Sequence, residues 1–203
     1  MVYNILIAGV GGQGSILAAK ILGQVFKNEG YDVKVSEIHG MSQRGGSVVT
    51  YVRYGDKVYS PLIEKGEADI ILAFEQLEGY RYVSYLKKEG EMILSTQTIE
   101  PMPVISGADV YPENIHLELI DMGVNIRSVN AIDIAQAIGN VKTVNIILLG
   151  CMAKTLNISK IKWENAIKNH VPPKLIDINI KAFETGYKLL NEGNKNEKIN
   201  ANL

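Results

Sequence analysis

The sequence predicts an α/β fold: a Rossmann-like three-layer arrangement with a mostly parallel sheet, an antiparallel hairpin and a helical C-terminal region. Three observations predict it. An apolar run at residues 3–8 passes through a glycine turn into a helical pattern. Short apolar runs and helical patterns then alternate through the first half of the chain. From Ala131 onward, helical patterns dominate.

The first elements form a βαβ pattern. Residues 3–8 are predicted as a strand, residues 13–29 as a helix and residues 32–37 as a second strand. We expect the two strands to run parallel with a right-handed connection, because that is the usual geometry of such a unit.

The next segment has the two-residue period of a half-exposed strand. Residues 47–54 alternate in this way, and Gly55 and Asp56 then turn the chain back through residues 57–59. We therefore expect a hairpin grafted onto the sheet, which makes the sheet mixed.

The remaining elements follow from the same periodicities. Further strands are predicted at residues 69–74, 91–95 and 116–122. Helices are predicted at residues 76–88, 131–138, 144–156, 160–168 and 175–190. Gly90 is expected to close the first of these helices, and the helix at 144–156 is apolar nearly all round, so it should be buried. Residues 97–112 contain three prolines and are expected to be irregular.

Composition is that of an ordinary globular protein, with 203 residues, 46% hydrophobic and 21% charged. We expect a single domain over residues 1–190 and a flexible tail over residues 191–203. The net charge of −1 leaves no basic stripe, which disfavours nucleic acid as a partner. No stretch approaches the roughly 18 apolar residues of a membrane span, and no secretory signal is visible, so we expect a cytoplasmic protein without a membrane partner.

Cysteine and histidine usage argues against metal chemistry. The single cysteine, Cys151, lies in an apolar run and is expected in the core. An iron–sulfur cluster needs about four thiolates, so this chain cannot hold one unaided. His39, His116 and His170 are scattered without metal-ligand spacing, and no metal site is expected.

The glycine turn after the first strand has the sequence Gly9-Val10-Gly11-Gly12-Gln13-Gly14. Its spacing satisfies the dinucleotide fingerprint, which also asks for an acid about 20 residues on, and Glu37 is better placed for this than Asp32. Glycines let a backbone approach a phosphate, and the following helix start favours an anion. The alternative is that the glycines only make a tight turn with close helix packing.

A second polar, glycine-rich segment at residues 36–47 is expected at the same sheet edge, where ligands bind in open parallel sheets. Arg44, flanked by Gly45 and Gly46, can grip a phosphate or carboxylate at two points. The alternative is a structural arginine that ties the loop down. His39 could act as an acid or base, or be a loop histidine hydrogen-bonded to Glu37.

Three runs carry a resemblance to a known family: GVGGQG at residues 9–14, VSEIHGMSQRGGSVV at residues 35–49 and YSPLI at residues 59–63. They resemble the gamma-type domain of 2-oxoacid:ferredoxin oxidoreductases. The resemblance is dense over residues 3–95, looser to about residue 190, and does not cover the tail. Ser42 departs from the alanine that many relatives have.

The resemblance implies a non-redox subunit, inactive alone, of an enzyme that oxidatively decarboxylates a 2-oxoacid to acyl-CoA and CO2. Thiamine diphosphate, Mg²⁺ and [4Fe–4S] clusters are expected in a larger alpha subunit, with ferredoxin reached through the complex. No catalytic residue is assigned to this chain. The residues expected to face coenzyme A phosphate or the substrate are Gly11, Gly12, Gln13, Gly14, Arg44, Gly45, Gly46 and Ser47. Possible accessory residues are Glu37, His39 and Gln43.

Several alternatives stay open at this point. The substrate is expected to be an arylpyruvate such as indolepyruvate, with pyruvate or branched-chain 2-oxoacids as alternatives. A free-standing NAD-dependent dehydrogenase would place Glu37 on a ribose. A ligand-binding scaffold without catalysis is the third class.

Overall fold

The computed structural model of the chain describes residues 1–40, 45–189 and 198–199. Within that part of the chain, the strands are β1 (Val2–Val10), β2 (Asp32–His39), β3 (Ser47–Gly55), β4 (Ala68–Ala73), β5 (Leu86–Ser95), β6 (Asn125–Val129) and β7 (Lys198–Ile199). The helices are α1 (Ser15–Asn28), α2 (Gln76–Arg81), α3 (Met102–Ile105), α4 (Ile115–Asp121), α5 (Ala131–Ile138), α6 (Val144–Thr155), α7 (Lys160–His170) and α8 (Ile176–Leu189).

These strands form one mixed sheet in the order β2-β3-β1-β4-β5-β6-β7. β1, β4, β5, β6 and β7 pair in parallel, whereas β3 is antiparallel to both of its neighbours, β1 and β2. The predicted α/β class, with a mostly parallel sheet and an antiparallel hairpin, is confirmed. β1 and β2 point the same way, as predicted, but β3 lies between them.

The hairpin differs from the prediction in its partners. β3 pairs with β2 along its whole length, from Asp32 opposite Gly55 to His39 opposite Val48, and residues 57–59 form no strand. The reason is that both edges of β3 are already occupied, by β2 and β1, which leaves no edge for a returning strand. Side chains hold the returning segment instead: Arg53 donates to the carbonyl oxygens of Ser60 and Leu62.

The helix predicted at residues 76–88 is shorter than expected. α2 ends at Arg81, a 3₁₀ turn follows, and β5 already begins at Leu86. Gly90 therefore lies inside a strand rather than closing a helix. A Cβ on Gly90 would approach the Ala68 carbonyl oxygen to 2.9 Å, so glycine serves here for close strand packing.

The strand predicted at residues 116–122 is wrong, and β6 was not predicted. This segment is α4, whose buried residues Ile115 and Leu119 are four positions apart on one helix face. Gly123 adopts φ +77° directly after it, and the amide of Gly123 donates to the carbonyl of Ile120, which is how helices commonly end. The chain then turns into β6.

The sheet lies between two apolar layers, as the three-layer prediction requires. Ile5 and Ile7 of β1 face α1, α5, α6, α7 and α8, while Leu6 and Ala8 face the layer that contains α2 and α4. The predicted burial of α6 is confirmed, because every residue from Val144 to Ala153 is buried. Cys151 is fully buried within it, also as predicted.

The predicted tail at residues 191–203 lies mostly outside the described residues. Of residues 191–203 the structure describes Lys198 and Ile199, which pair with β6. The flexible tail and the single domain over residues 1–190 stay predictions. In the part of the chain that is described, no helix has the length and apolar character needed to cross a bilayer.

Candidate functional site

The glycine turn between β1 and α1 is held by the side chain of Gln13. Its Oε1 accepts from the amide of Val10 at 2.7 Å, and its Nε2 donates to the carbonyl of Phe74 at 2.9 Å and to Oε1 of Gln97 at 3.0 Å. Gln13 therefore joins the turn to the ends of β4 and β5, the two strands that follow β1 in the sheet. Gln13 thus stabilises the turn from within the protein, and its predicted part in ligand binding stays a prediction.

Gly14 meets a packing requirement at the start of α1. Its φ of +87° is left-handed, and a Cβ here would collide with the side-chain amide of Asn145 on α6. That amide donates to the carbonyl of Gly14 at 3.3 Å. At this position the tight-turn alternative describes the glycine well. Gly12, with φ +102°, has open space where a Cβ would lie, and the residue is exposed.

The second glycine segment lies against the first. Gly45 and Gly46 precede β3, and Ser47 is its first residue. The amide of Gly11 donates to the carbonyl of Gly46 at 2.9 Å. Because Val10 pairs with Ser47, the end of β1 and the start of β3 are neighbours at one edge of the sheet. The structure thus brings together both glycine segments, as the sequence suggested. Gln43 and Arg44 lie outside the described residues, so their roles stay predictions.

Glu37 and His39 form a cluster at the end of β2. Oε2 of Glu37 accepts from the hydroxyls of Ser15 at 3.0 Å and Thr50 at 2.9 Å. Its Oε1 lies 2.7 Å from Nε2 of the half-exposed His39. This matches the alternative in which His39 is bound to Glu37. Both oxygens of Glu37 have protein partners, and the carboxylate braces the start of α1 against β2 and β3.

A crevice opens between the glycine segments and α2, and neither Glu78 in its lining nor the adjacent Glu75 was predicted from the sequence as a site residue. The cavity has a volume of about 220 Å³. It is lined by Val10, Gly45, Gly46, Ser47, Leu77, Glu78, Arg81, Ile99, Pro101, Met102 and Pro103. Glu75 is the N-cap of α2, the helix that follows the buried strand β4, and Glu78 lies within this helix. The rule that ligands bind beyond the carboxyl ends of parallel strands would have pointed to them.

Glu78 ties the second glycine segment to α2. Its side chain is 3% exposed, and its Oε2 accepts from the Ser47 hydroxyl at 2.5 Å. Its Oε1 accepts from Nη1 of Arg81 at 2.6 Å. The buried carboxylate is thus paired with a cation and a hydroxyl, which is what a buried charge requires.

Glu75 ties the opposite wall of the crevice to the same helix. Its Oε1 accepts from the Tyr111 hydroxyl at 2.5 Å and the Ile99 amide at 3.1 Å, and its Oε2 caps α2 through the Glu78 amide at 2.8 Å. Burial raises the pKa of Glu75, while the hydrogen bonds from Tyr111 and the two amides act in the opposite direction. Burial, followed by the hydrogen bond to Glu75, likewise raises the pKa of Tyr111.

A larger groove of about 720 Å³ lies between α1 and the outer strands β2 and β3. Its lining includes Ile16, Ala19, Gly23, Val33, Val35 and Thr50, with Glu37 among the lining residues. Lys20, Lys27 and His170 also line this groove, so its walls are both apolar and polar, and it lies on the α1 face of the sheet.

The residues of this chain do not fit an iron–sulfur cluster. The thiol of Cys151 is fully buried in α6, and burial raises its pKa to about 12, so the thiolate that would ligate iron is strongly disfavoured. The sequence has no second cysteine. Across the described ranges, no three His, Cys, Asp or Glu residues cluster in a way that could hold a metal ion.

The mixed sheet with helices on both faces is the α/β class that the sequence resemblance predicts. The family model for pyruvate ferredoxin/flavodoxin oxidoreductase matches residues 4–189, and the chain belongs to this family. The resemblance identified from the sequence is therefore confirmed.

The relatives include subunits that are named for indolepyruvate oxidoreductase. The chain is 42% identical over 195 residues to indolepyruvate oxidoreductase subunit IorB of Thermococcus kodakarensis, which covers 94% of this chain and 96% of the relative. The identity to the subunit of the same name from Pyrococcus horikoshii is also 42%, with the same coverage.

Solved structures agree with the fold. The gamma subunit of a keto/oxoacid ferredoxin oxidoreductase from Geobacter sulfurreducens superposes with a TM-score of 0.68 at 26% identity, covering 92% of this chain and 96% of that chain. The 2-oxoglutarate:ferredoxin oxidoreductase from Magnetococcus marinus gives a TM-score of 0.74 at 19% identity, with coverage of 96% of this chain and 32% of that chain. The second similarity concerns the fold alone.

Proposed function

We propose that this chain is the small, non-redox subunit of an indolepyruvate:ferredoxin oxidoreductase, which converts an arylpyruvate to acyl-CoA and CO2 in a coenzyme A-dependent oxidative decarboxylation. One observation carries the proposal. Four relatives named indolepyruvate oxidoreductase subunit IorB are 38–42% identical over at least 92% of this chain. Relatives named for 2-oxoglutarate or pyruvate are 26–29% identical.

The redox chemistry belongs to a larger alpha subunit in this proposal. That subunit carries thiamine diphosphate, Mg²⁺ and the [4Fe–4S] clusters and passes electrons to ferredoxin. The buried, solitary Cys151 supports this division, because this chain cannot supply four thiolates. In the Magnetococcus marinus enzyme, the region that matches this chain is 32% of a longer polypeptide, which supports an association with further domains. We place the complex in the cytoplasm.

The contribution of this chain is a binding edge formed by the two glycine segments. Gly12 and Gly45 are exposed, and the amide of Gly11, the neighbour of Gly12, bonds to the carbonyl of Gly46. Glycine backbone at the surface of a turn that precedes a helix suits an anionic group such as the phosphates of coenzyme A. The Magnetococcus marinus structure holds 2-oxoglutarate, coenzyme A and succinyl-CoA. Gly11, Gln13, Gly14 and Ser47 shape this edge, and Arg44 belongs to the same segment.

Reconstitution with the cognate large subunit tests the proposal. The complex is assayed for ferredoxin reduction with indolepyruvate, phenylpyruvate, pyruvate, 2-oxoglutarate and 2-ketoisovalerate, with and without coenzyme A. We expect the highest kcat/KM with an arylpyruvate, a requirement for coenzyme A, and no activity from either subunit alone. Highest kcat/KM with pyruvate or 2-ketoisovalerate would reassign the substrate. Oxidation of an oxoacid by the isolated chain would refute the division of labour.

Calorimetry with NAD separates this proposal from the free-standing dehydrogenase. That alternative needs a carboxylate free to bind a ribose, and both oxygens of Glu37 are occupied by Ser15, Thr50 and His39. We expect no heat of NAD binding to the full chain.

A further inference from the structure

The crevice holds a cation that the sequence motifs do not contain. Arg81 ends α2 and lines the cavity together with Gly45, Gly46 and Ser47. Its side chain is 43% exposed. An arginine carries five N–H donors in a fixed planar fork, and the bond to Glu78 engages Nη1. Among the described residues, the hydrogen-bond and ion-pair partner of this guanidinium is Glu78, which leaves donors on the exposed part of the side chain.

The position of Arg81 is fixed by a buried partner. Glu78 has almost no solvent contact, and its two oxygens are divided between Arg81 at 2.6 Å and Ser47 at 2.5 Å. One carboxylate therefore orients the arginine and holds the second glycine segment beside it. An arginine oriented in advance loses little rotamer entropy when a ligand binds, which favours tight and directional recognition.

The other walls of the crevice say what kind of group it accepts. Leu77, Ile99, Met102 and two prolines provide apolar surface, and the glycine backbone provides close approach. A volume of about 220 Å³ is equivalent to about seven water molecules at about 30 Å³ each. It therefore has room for an anionic head and a few carbon atoms, but not for a whole cofactor.

We propose that Arg81 binds an anionic group, a phosphate or a carboxylate attached to an apolar body, in the crevice between α2 and the glycine segments, and that Glu78 is the positioning residue that orients it. This inference rests on the proposed function, which supplies two sources for the anion. One is a phosphate of coenzyme A, and the other is the carboxylate of the 2-oxoacid. Arg81 forms no covalent bond in either case, and its role is recognition.

Steady-state kinetics of the reconstituted complex test the role of Arg81. Arg81→Gln removes the charge and the fork, Arg81→Lys keeps the charge, and Lys142→Gln removes an exposed charge elsewhere as the matched control. We expect Arg81→Gln to raise one KM about tenfold to a hundredfold, as the loss of one or two charge-assisted hydrogen bonds predicts, with kcat changed less than threefold. Arg81→Lys should recover part of the loss.

The two sources of the anion give different results. A rise in the KM for coenzyme A alone assigns a phosphate, and repeating the assay with 3′-dephospho-coenzyme A tells whether it is the 3′-phosphate. A rise in the KM for indolepyruvate alone assigns the carboxylate. If Arg81→Gln leaves both KM values within twofold of Lys142→Gln, the inference is overturned. A wild-type complex without turnover on any oxoacid would instead refute the proposed function.

A double-mutant cycle tests the positioning role of Glu78. Glu78→Gln keeps the shape of the side chain but loses the charge and one of the two acceptor oxygens that bind Arg81 and Ser47. We expect it to raise the same KM as Arg81→Gln, by a smaller factor, and the double variant to be no worse than Arg81→Gln alone. If the fold-increases in KM of the two single variants multiply in the double variant, the two residues act independently. That result would remove Glu78 from the proposal. The denaturation midpoint of each variant identifies a KM effect caused by loss of the fold.

Discussion

The amide of Gly11 donates to the carbonyl of Gly46 at 2.9 Å, and this bond joins two segments that are 35 positions apart in the chain. It is possible because β3 is inserted antiparallel beside β1. The start of β3 therefore meets the end of β1 at the same edge of the sheet. The candidate site is thus a product of strand order as much as of the glycine motifs themselves.

Replacing Gln13 with alanine should destabilise the protein. The change leaves the Val10 amide and the Phe74 carbonyl without their partners near the core, and each unsatisfied polar group costs about 1–3 kcal/mol. We expect a loss of about 2–4 kcal/mol in the free energy of unfolding, measured by denaturant titration. Gln24→Ala on α1 is the matched control and should change stability by less than about 0.5 kcal/mol. Equal stability of the two variants would mean that Gln13 does not stabilise the turn.

Replacing Gly186 with alanine should disrupt the contact between α6 and α8. A Cβ at Gly186 would run into the backbone of Ile147, and backbone cannot move aside as a side chain can. We expect a loss of about 1–3 kcal/mol, the usual cost of overpacking. Gly23→Ala is a control within another helix, because no atom lies within 4 Å of the added Cβ. It should stabilise the protein by about 0.5–1 kcal/mol, and thermal unfolding of both variants decides the matter.

The stability of the protein should depend on the titration of Glu75. Its folded pKa is raised above the unfolded value of 4.5, mainly by burial. The folded state therefore binds the proton more tightly, and the stabilising contribution of the protonated form is lost as the pH rises through the folded pKa. We expect Glu75→Gln to gain stability relative to wild type as the pH is raised above 4.5.

Denaturant titrations between pH 4 and pH 8 measure this difference. Glu89→Gln, at an exposed position, is the control and should follow the wild-type pH profile. A difference between Glu75→Gln and wild type that is independent of pH would contradict the raised pKa.

Cys151 should be inert in the folded protein. Its thiol has no solvent exposure, and burial raises its pKa to about 12, so both access and thiolate are lacking. A colorimetric thiol reagent at pH 8 should detect no thiol in the native chain and one per chain in denaturant. Rapid labelling of the native protein would show that α6 is less deeply packed than described.

The sequence predicted most of the elements in which the spacing of apolar residues follows one clear period. β1, α1, β4, α5 and α6 fall within two residues of their expected bounds. The wrong predictions concern segments whose structure is not determined by their local sequence pattern. The partners of β3 depend on long-range pairing, and the short run at Ile115–Asp121 fits both a two-residue and a four-residue period until burial of Ile115 and Leu119 is known.

The candidate site could be predicted only in part, because local sequence patterns reveal some of its features and long-range contacts determine the others. Glycine spacing revealed the two segments, and the rule for strand ends placed them at one edge. The engagement of Gln13 with Phe74 and Gln97, by contrast, depends on residues that are more than 60 positions away. Glu75 and Glu78 read as ordinary acids of a helix start, since nothing in their local sequence reveals that both are buried.

The attachment of both crevice walls to α2 has a mechanical consequence. Glu75 holds the side that contains Ile99 and Tyr111, and Glu78 holds Ser47 on the opposite side, within four residues of one short helix. A displacement of α2 would therefore move both walls of the crevice together rather than apart. A larger polypeptide that docks against α2 would thus shift the whole crevice and leave its width unaltered.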